Sequence, residues 1–483
     1  MNTSSTQALA APLTEQYCDD ISSELISIGP LLAQLIRTSE ISDTAAISAS
    51  ATAVYRTVLT NQHFNESPSA ANEAVALAVA QLNCYRARQY KTVLELIVST
   101  QTLSNFINQS KGNTQQLLSL FKSADLLIID ANPLALTIDT LPSDDKPLET
   151  NQDIAQQYKL NNLLIKQPNT HSHFFLSTAL DVDSQALFTQ RKASHEHDES
   201  DYRSITSALI ACYIILGKRI CDATVLALAS INQLQSTAGL ELAAKTSENL
   251  SWPCELSNFP LYNGAITHSN LPSNEPLSFP STNTLSLGLY PVVDTIEWLE
   301  KLLILGIETI QLRIKDMPLA ELDNAVEQAS KLGKQYNARL FINDYWQLAI
   351  KHHCYGVHLG QEDLDITDLS AIAQAGLRLG ISTHSEYEWL RAISIKPSYI
   401  AMGTVYPTQT KPAILIGLDN LNHWCKTLAA HFPIVAIGGI KEHNIDEVLK
   451  SGVGSIAVVT AITQADDYQK ATARMAAKQQ IQH

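Results

Sequence analysis

From residue 285 onward the chain alternates short apolar runs with amphipathic stretches. The runs at 287–293, 308–314, 339–343, 355–359, 379–382, 398–403, 433–437 and 454–459 are too short for helices. Their uniform apolarity predicts strands buried on both faces. Between them, segments such as 295–305, 319–336, 346–352 and 445–451 space their apolar residues as helices do. Strand–helix alternation repeated through eight units predicts a parallel (β/α)8 barrel, the TIM-barrel architecture, over residues 285–483.

The preceding residues are less regular. Apolar runs at 92–99, 126–130 and 163–166 predict strands; 114–122, 154–158, 204–216 and 223–233 predict helices, with surface loops at 140–151 and 193–201. An α/β domain over residues 1–250 follows. Residues 251–284 hold Pro253, Pro260, Pro272, Pro276 and Pro280 among Ser, Asn and Thr, a composition that predicts an irregular linker.

Composition narrows the class. A chain of 483 residues exceeds one core, and 45% hydrophobic with 17% charged residues is ordinary for a globular protein. The net charge of −15 opposes nucleic-acid binding. Seven cysteines without a C-x-x-C pair suit reduced thiols rather than disulfides or zinc. The first basic residue is Arg37, which does not fit a signal peptide, and the apolar stretch 205–217 is too short to span a bilayer. These features predict a cytoplasmic protein that uses neither membrane nor nucleic acid. The sequence leaves open whether it forms a homo-oligomer.

The predicted strands end in polar residues, and in a barrel the site lies at the strands' C-terminal ends. Gln311, Arg313 and Lys315 alternate along one such end and so share a face, with Leu312 and Ile314 between them. Two cations at a cavity mouth call for an anion. Asn343 and Asp344 end the next strand, and Asp363 follows the fourth. Two carboxylates with substrate phosphate are a common Mg2+ set, with Glu362 as the rival ligand. Ser382 and His384 end the fifth strand. Thr408, Gln409, Thr410 and Lys411 follow the sixth. Gly438-Gly439 and Val459-Thr460 follow the seventh and eighth, where barrels often bind phosphate. The series implies a metal-assisted diphosphate pocket beside a monophosphate pocket, and hence displacement of pyrophosphate by a phosphorylated acceptor. No Cys/His or Ser/His nucleophile arrangement is visible. The histidine pairs His171/His173 and His195/His197 could bind metal but read as incidental loop histidines.

The strings Q-x-R-x-K, N-D, G-x-H-x-G-Q-x-D, G-x-S-x-H, P-T-x-T-K, A-I-G-G and V-[ST]-A-I occur in this order, and residues 285–483 closely resemble the thiamine-phosphate synthase family. The resemblance implies a transferase that joins a pyrimidine diphosphate to a thiazole phosphate. It implies that Gln311, Leu312, Arg313, Ile314, Lys315, Asn343, Ser382 and Lys411 hold 4-amino-2-methyl-5-(diphosphooxymethyl)pyrimidine, with Arg313, Lys315, Ser382 and Lys411 catalytic. Asp344 and Asp363 would bind one Mg2+ per subunit. Thr408, Gln409, Thr410, Gly439, Val459 and Thr460 would hold the thiazole phosphate or its carboxylated form. Thr404, Tyr406 and Thr460 depart from the family's usual Pro, Phe and Ser. Thiazole tautomerisation, the reaction of a paralogue, would not need the Arg313, Lys315, Asp344 and Asp363 set.

The N-terminal half is similar to hydroxymethylpyrimidine-phosphate kinase, a ribokinase-like fold, in Asp130-Ala131-Asn132-Pro133, Leu163-Leu164-Ile165-Lys166 and Ser207-Ala208-Leu209-Ile210-Ala211. The positions of that family's glycine anion loop read Glu199, Ser200, Asp201, Tyr202 and Arg203, and acidic side chains there would repel phosphate. The resemblance therefore implies a degenerate kinase-like domain. Retained kinase activity and a ligand-sensing or scaffolding role are the alternatives.

Overall fold

The computed structural model describes residues 199–237, 250–262, 277–408 and 414–480, together with seven strands before residue 190. The chain divides into two compact units: residues 1–253 with 257–268, and residues 254–256 with 269–483.

In the first unit, β1 (Ser23–Leu25), β2 (Thr52–Leu59), β3 (Lys91–Val98), β4 (Leu126–Asp130), β5 (Asn162–Lys166), β6 (His173–Thr178), β7 (Gln185–Thr189) and β8 (Leu261–Tyr262) form one sheet in sequential order. Strands β2 to β5 run parallel, while β1, β6, β7 and β8 add antiparallel neighbours. Helices α1 (Glu199–Ile215) and α2 (Ile220–Thr237) follow β7. Tyr213 and Ser230 share a hydrogen bond of 2.7 Å between them. Gly217, at φ +83°, ends α1, with the Lys218 N–H closing onto the Tyr213 carbonyl at 3.0 Å.

Several expectations change here. Residues 199–201, read as part of a polar surface loop, start α1. Strands β1, β2, β6 and β7 have no counterpart in the sequence reading: Arg56 and Thr57 break the apolar run of β2, and the apolar runs of β1, β6 and β7 are very short. The predicted linker is partly structured. Trp252 and Phe259 are buried, β8 pairs with β7, and Phe279 and Thr282 are buried ahead of the first barrel strand. Large apolar side chains among the prolines supply that burial. The predicted helices at 114–122 and 154–158, the loop at 140–151, and His171, His195 and His197 lie outside the described residues.

The second unit is a closed parallel barrel. Its strands are β9 (Gly288–Val293), β10 (Thr309–Leu312), β11 (Arg339–Asn343), β12 (Gly356–Leu359), β13 (Arg378–Thr383), β14 (Tyr399–Met402), β15 (Ile434–Ile437) and β16 (Ser455–Val458). The helices of the second unit are α3 (Ile296–Ile304), α4 (Leu319–Gln335), α5 (Trp346–Lys351), α6 (Leu369–Gln374), α7 (Glu386–Ile395), α8 (Gly417–Leu428), α9 (Ile445–Leu449), α10 (Thr460–Thr463) and α11 (Tyr468–Gln480). Helix α4 buries Leu322, Ala325, Val326, Ala329, Ser330 and Gly333, the i, i+3, i+4 stripe that the sequence predicts. Caps set several boundaries: the Thr295, Asp368 and Ser385 side chains accept backbone N–H groups of α3, α6 and α7.

Closure pairs β16 with β9, reinforced by the Leu287 N–H donating to the Ser455 hydroxyl at 2.7 Å and Ser286 donating to the Gly454 carbonyl at 2.6 Å. Below the strands, Arg378 donates to the Ser281 carbonyl at 2.9 Å and lies over the Tyr355 ring. Ser398 donates to the Pro280 carbonyl at 2.7 Å.

Alternation of period two divides each strand. On β10 to β13, Ile310, Leu340, Val357 and Leu379 are buried, while Gln311, Asn343, His358 and Ser382, of opposite parity on their strands, line the cleft. Tyr290, Phe341 and Tyr399 fill the barrel centre, their ring centroids 5.0–6.0 Å apart. Gly380 makes room for this packing, since a Cβ there would lie 2.1 Å from Tyr399 Cζ. Gly380→Ala is expected to cost about 2–3 kcal/mol of stability by overpacking. Urea unfolding of the full chain, following the barrel transition, measures the loss.

Candidate active site

The C-terminal strand ends open into one cleft of ≈ 1360 Å³, above the roughly 300–1,000 Å³ usual for one small ligand. That volume leaves room for two substrates side by side. Gln311, Arg313, Lys315, Asn343, Asp344, Asp363, Ser382, Thr408, Gly439, Val459 and Thr460 all line it. Two expected contacts do not: Leu312 and Ile314 are buried with side chains turned away from the mouth, the consequence of strand alternation. Gln409, Thr410 and Lys411 lie outside the described residues.

On one side of the cleft, Lys315 Nζ contacts Asp344 Oδ2 at 2.6 Å. Asp344 sits just past β11 at φ +64°. The Lys315 side chain is 47% exposed, so this pair contributes only about 0–1 kcal/mol and can be exchanged at little cost. The Arg313 side chain makes no hydrogen bond or ion pair among the described residues. Asp363 Oδ2 accepts the Gly360 N–H at 2.9 Å. Burial, opposed by this hydrogen bond and reinforced by the charges of Asp344 and Glu362, raises the Asp363 pKa. Among the described lining residues, Asp294, Asp344, Glu362, Asp363 and Glu388 stand against the cations Arg313, Lys315 and Lys441. A polyanion entering this mouth needs further positive charge. Asp344 and Asp363 both line this side of the cleft, and two carboxylates completed by phosphate oxygens and water would be an ordinary Mg2+ set. No group of three His, Cys, Asp or Glu is placed to hold a metal among the described residues.

Beneath this side lies a buried polar row. Ser382 Oγ is 2.8 Å from His358 Nε2, and His358 Nδ1 is 2.7 Å from the Tyr399 hydroxyl. Burial depresses His358 to about 4, with Asp344 opposing and Arg313 assisting, so the ring is neutral at neutral pH. Burial likewise raises both Tyr290 and Tyr399, which stay protonated.

The other side is built from turns. Gly439, at φ +64°, lets the loop after β15 pass against the loop after β14; a Cβ there would fall 2.7 Å from the Tyr406 and Pro407 carbonyl oxygens. Asn444 secures the turn, accepting the Lys441 N–H at 2.7 Å and donating to the Gly439 carbonyl at 3.1 Å. Lys441 then places Nζ 2.5 Å from Thr460 Oγ1. Sequence reading passed over Lys441, Tyr290, His358 and Tyr399. A lysine two residues past Gly439 carried a usable signal, whereas inward aromatics and a strand histidine resemble core.

The family pattern described as thiamine monophosphate synthase matches residues 289–462. A thiamine-phosphate synthase of Serratia proteamaculans is 58% identical over 199 residues, spanning 41% of this chain and 93% of the relative. That of Pectobacterium atrosepticum is 58% identical over 191 residues, 39% of this chain and 90% of the relative. A solved thiamine phosphate pyrophosphorylase of Pyrococcus furiosus shares 34% identity over 41% of this chain and 96% of that one, with a TM-score of 0.38. Identity of 58% across nearly the whole of a curated relative places the chain, through its barrel, in the thiamine-phosphate synthase family.

Proposed function

We propose that the barrel joins 4-amino-2-methyl-5-(diphosphooxymethyl)pyrimidine to 4-methyl-5-(2-phosphoethyl)thiazole, or to its carboxylated form with loss of CO2, releasing pyrophosphate and thiamine phosphate. The observation that carries this reading is one cleft with a cation-and-carboxylate side and a separate glycine-and-lysine side, in a chain of this family.

Gln311, Arg313, Lys315, Asn343, Ser382 and Lys411 would hold the pyrimidine diphosphate, Arg313 and Lys315 neutralising the charge that grows on the departing group. Asp344 and Asp363 would hold Mg2+, which supplies electrostatic stabilisation to a leaving diphosphate. Lys315 would then exchange Asp344 for a phosphate oxygen. Once the C–O bond breaks, the electron pair leaves with pyrophosphate. The thiazole nitrogen donates its lone pair to the pyrimidinylmethyl cation that remains. Gly439, Val459 and Thr460, with Thr408 to Thr410, would fix the thiazole phosphate so that this nitrogen faces the cation, and Lys441 adds a charge to that cradle.

For the first unit, the reading is a degenerate kinase-like domain of ribokinase type. Its support is the helical backbone from Glu199 onward, at the positions where a glycine anion loop would stand. Full-length protein given ATP and hydroxymethylpyrimidine phosphate should consume no ATP; turnover would favour a bifunctional enzyme.

Arg313→Ala and Asp344→Asn should each lower kcat/KM for the pyrimidine diphosphate by about 100-fold or more, from lost charge stabilisation worth roughly 3 kcal/mol. Asp344→Asn should also weaken the Mg2+ dependence of pyrophosphate release. Lys441→Ala should raise KM for the thiazole phosphate about 10-fold, leaving KM for the pyrimidine diphosphate unchanged, as loss of one charged hydrogen bond predicts. Initial rates with each substrate varied in turn separate the two pockets.

A further inference from the structure

Five side chains form an unbroken hydrogen-bonded row across the barrel. Gln311 Nε2 lies 3.4 Å from the Tyr290 hydroxyl, which is 2.8 Å from the Tyr399 hydroxyl. That hydroxyl is 2.7 Å from His358 Nδ1, and His358 Nε2 is 2.8 Å from Ser382 Oγ. Every member comes from a different strand: β10, β9, β14, β12 and β13 in turn. Ser382 is braced a second time, because Gln361 Nε2 donates to its carbonyl at 2.8 Å.

Proton counting gives the row a direction. The Gln311 amide nitrogen can only donate, so the Tyr290 oxygen accepts from it. The Tyr290 proton then points to Tyr399, and the Tyr399 proton to His358 Nδ1. A neutral imidazole has one N–H, which this arrangement puts on Nε2, donating to Ser382 Oγ. The Ser382 hydroxyl proton is left without a partner in the row, and Ser382 lines the cleft.

We propose that Gln311, Tyr290, Tyr399 and His358 are positioning residues that lock the Ser382 hydroxyl as a hydrogen-bond donor into the cleft, aimed at a phosphate oxygen of the bound diphosphate. The inference rests on the synthase reading above and names how one of its contacts is oriented. A serine with a free rotor presents lone pairs as readily as its proton. Locking the rotor removes that choice before the anion arrives, so nothing has to reorganise as charge develops.

Two measurements on the full-length protein test this. With 15N-labelled histidine, His358, assigned by the His358→Gln variant, should show a protonated Nε2 and an unprotonated Nδ1. Tyr399→Phe, which keeps the ring, should abolish that tautomer preference; Tyr290→Phe should weaken it and serves if Tyr399→Phe does not fold. In steady-state kinetics, Tyr399→Phe should lower kcat/KM for the pyrimidine diphosphate about 10-fold with the thiazole phosphate KM unmoved, the effect of one misdirected hydrogen bond to a charged group. In a Ser382→Ala background the same change should alter the rate less than about twofold, because coupled residues do not add. A His358 protonated on Nδ1, or losses from Tyr399→Phe and Ser382→Ala that multiply, overturns the proposal. Wild-type protein that forms no thiamine phosphate would instead overturn the synthase reading, and the tautomer measurement stands apart from that result.

Discussion

Closure of the barrel is the constraint on which the rest depends. Eight short parallel strands, joined where β16 pairs with β9, leave no edge and force alternate side chains into one narrow interior. Interior space must be filled, and Tyr290, Phe341 and Tyr399 fill its centre. Tyrosine makes that filling dual in character. The rings pack as core, while the hydroxyls of Tyr290 and Tyr399 form the first polar layer under the cleft. Because a buried hydroxyl is costly without a partner, each phenol demands the next polar group in turn. Packing and site orientation thus come from the same residues.

Electrostatics shape the mouth above that floor. Its described carboxylates outnumber its described cations, so the surface is poorly suited to a bare diphosphate. Asp344 and Lys315 form a pair on one side of the mouth in which each group partly neutralises the other. Its low net worth in a solvated setting keeps it exchangeable. A tight buried pair at the same place would have to be broken at several kcal/mol before substrate could bind.

The barrel was legible because its strands are mostly apolar and its strand ends carry charged residues, glycine and threonine. Arg313, Lys315, Asp344, Asp363, Gly439 and Thr460 meet at one cleft as the strand-end pattern implied. The contiguous string also takes in Leu312 and Ile314, whose side chains are buried outside the cleft lining. Tyr290, Tyr399 and His358 were opaque because an inward aromatic reads as core whether or not its polar atom has a task. In the first unit the antiparallel strands β6 and β7 mix Ser, Thr and Gln with apolar residues, so they lack the continuous hydrophobic run that marks a doubly covered parallel strand.

The two sides of the cleft are mechanically joined. After β14 the Val405 N–H donates to the Ile437 carbonyl at 3.0 Å and the Tyr406 N–H to the Gly438 carbonyl at 3.0 Å. Thr404 is held in turn by Ile414 and Ile416, its N–H and carbonyl bonding the far end of the same loop at 3.1 and 2.8 Å. The glycine turn after β15 therefore shares a wall with the loop whose sequence carries Thr408, Thr410 and Lys411. Backbone contacts this close leave little slack between the two turns. A reaction between two separately bound phosphorylated molecules needs their reacting atoms within van der Waals reach. A wall made of backbone rather than long side chains keeps the two sides of the cleft close enough for such a reaction.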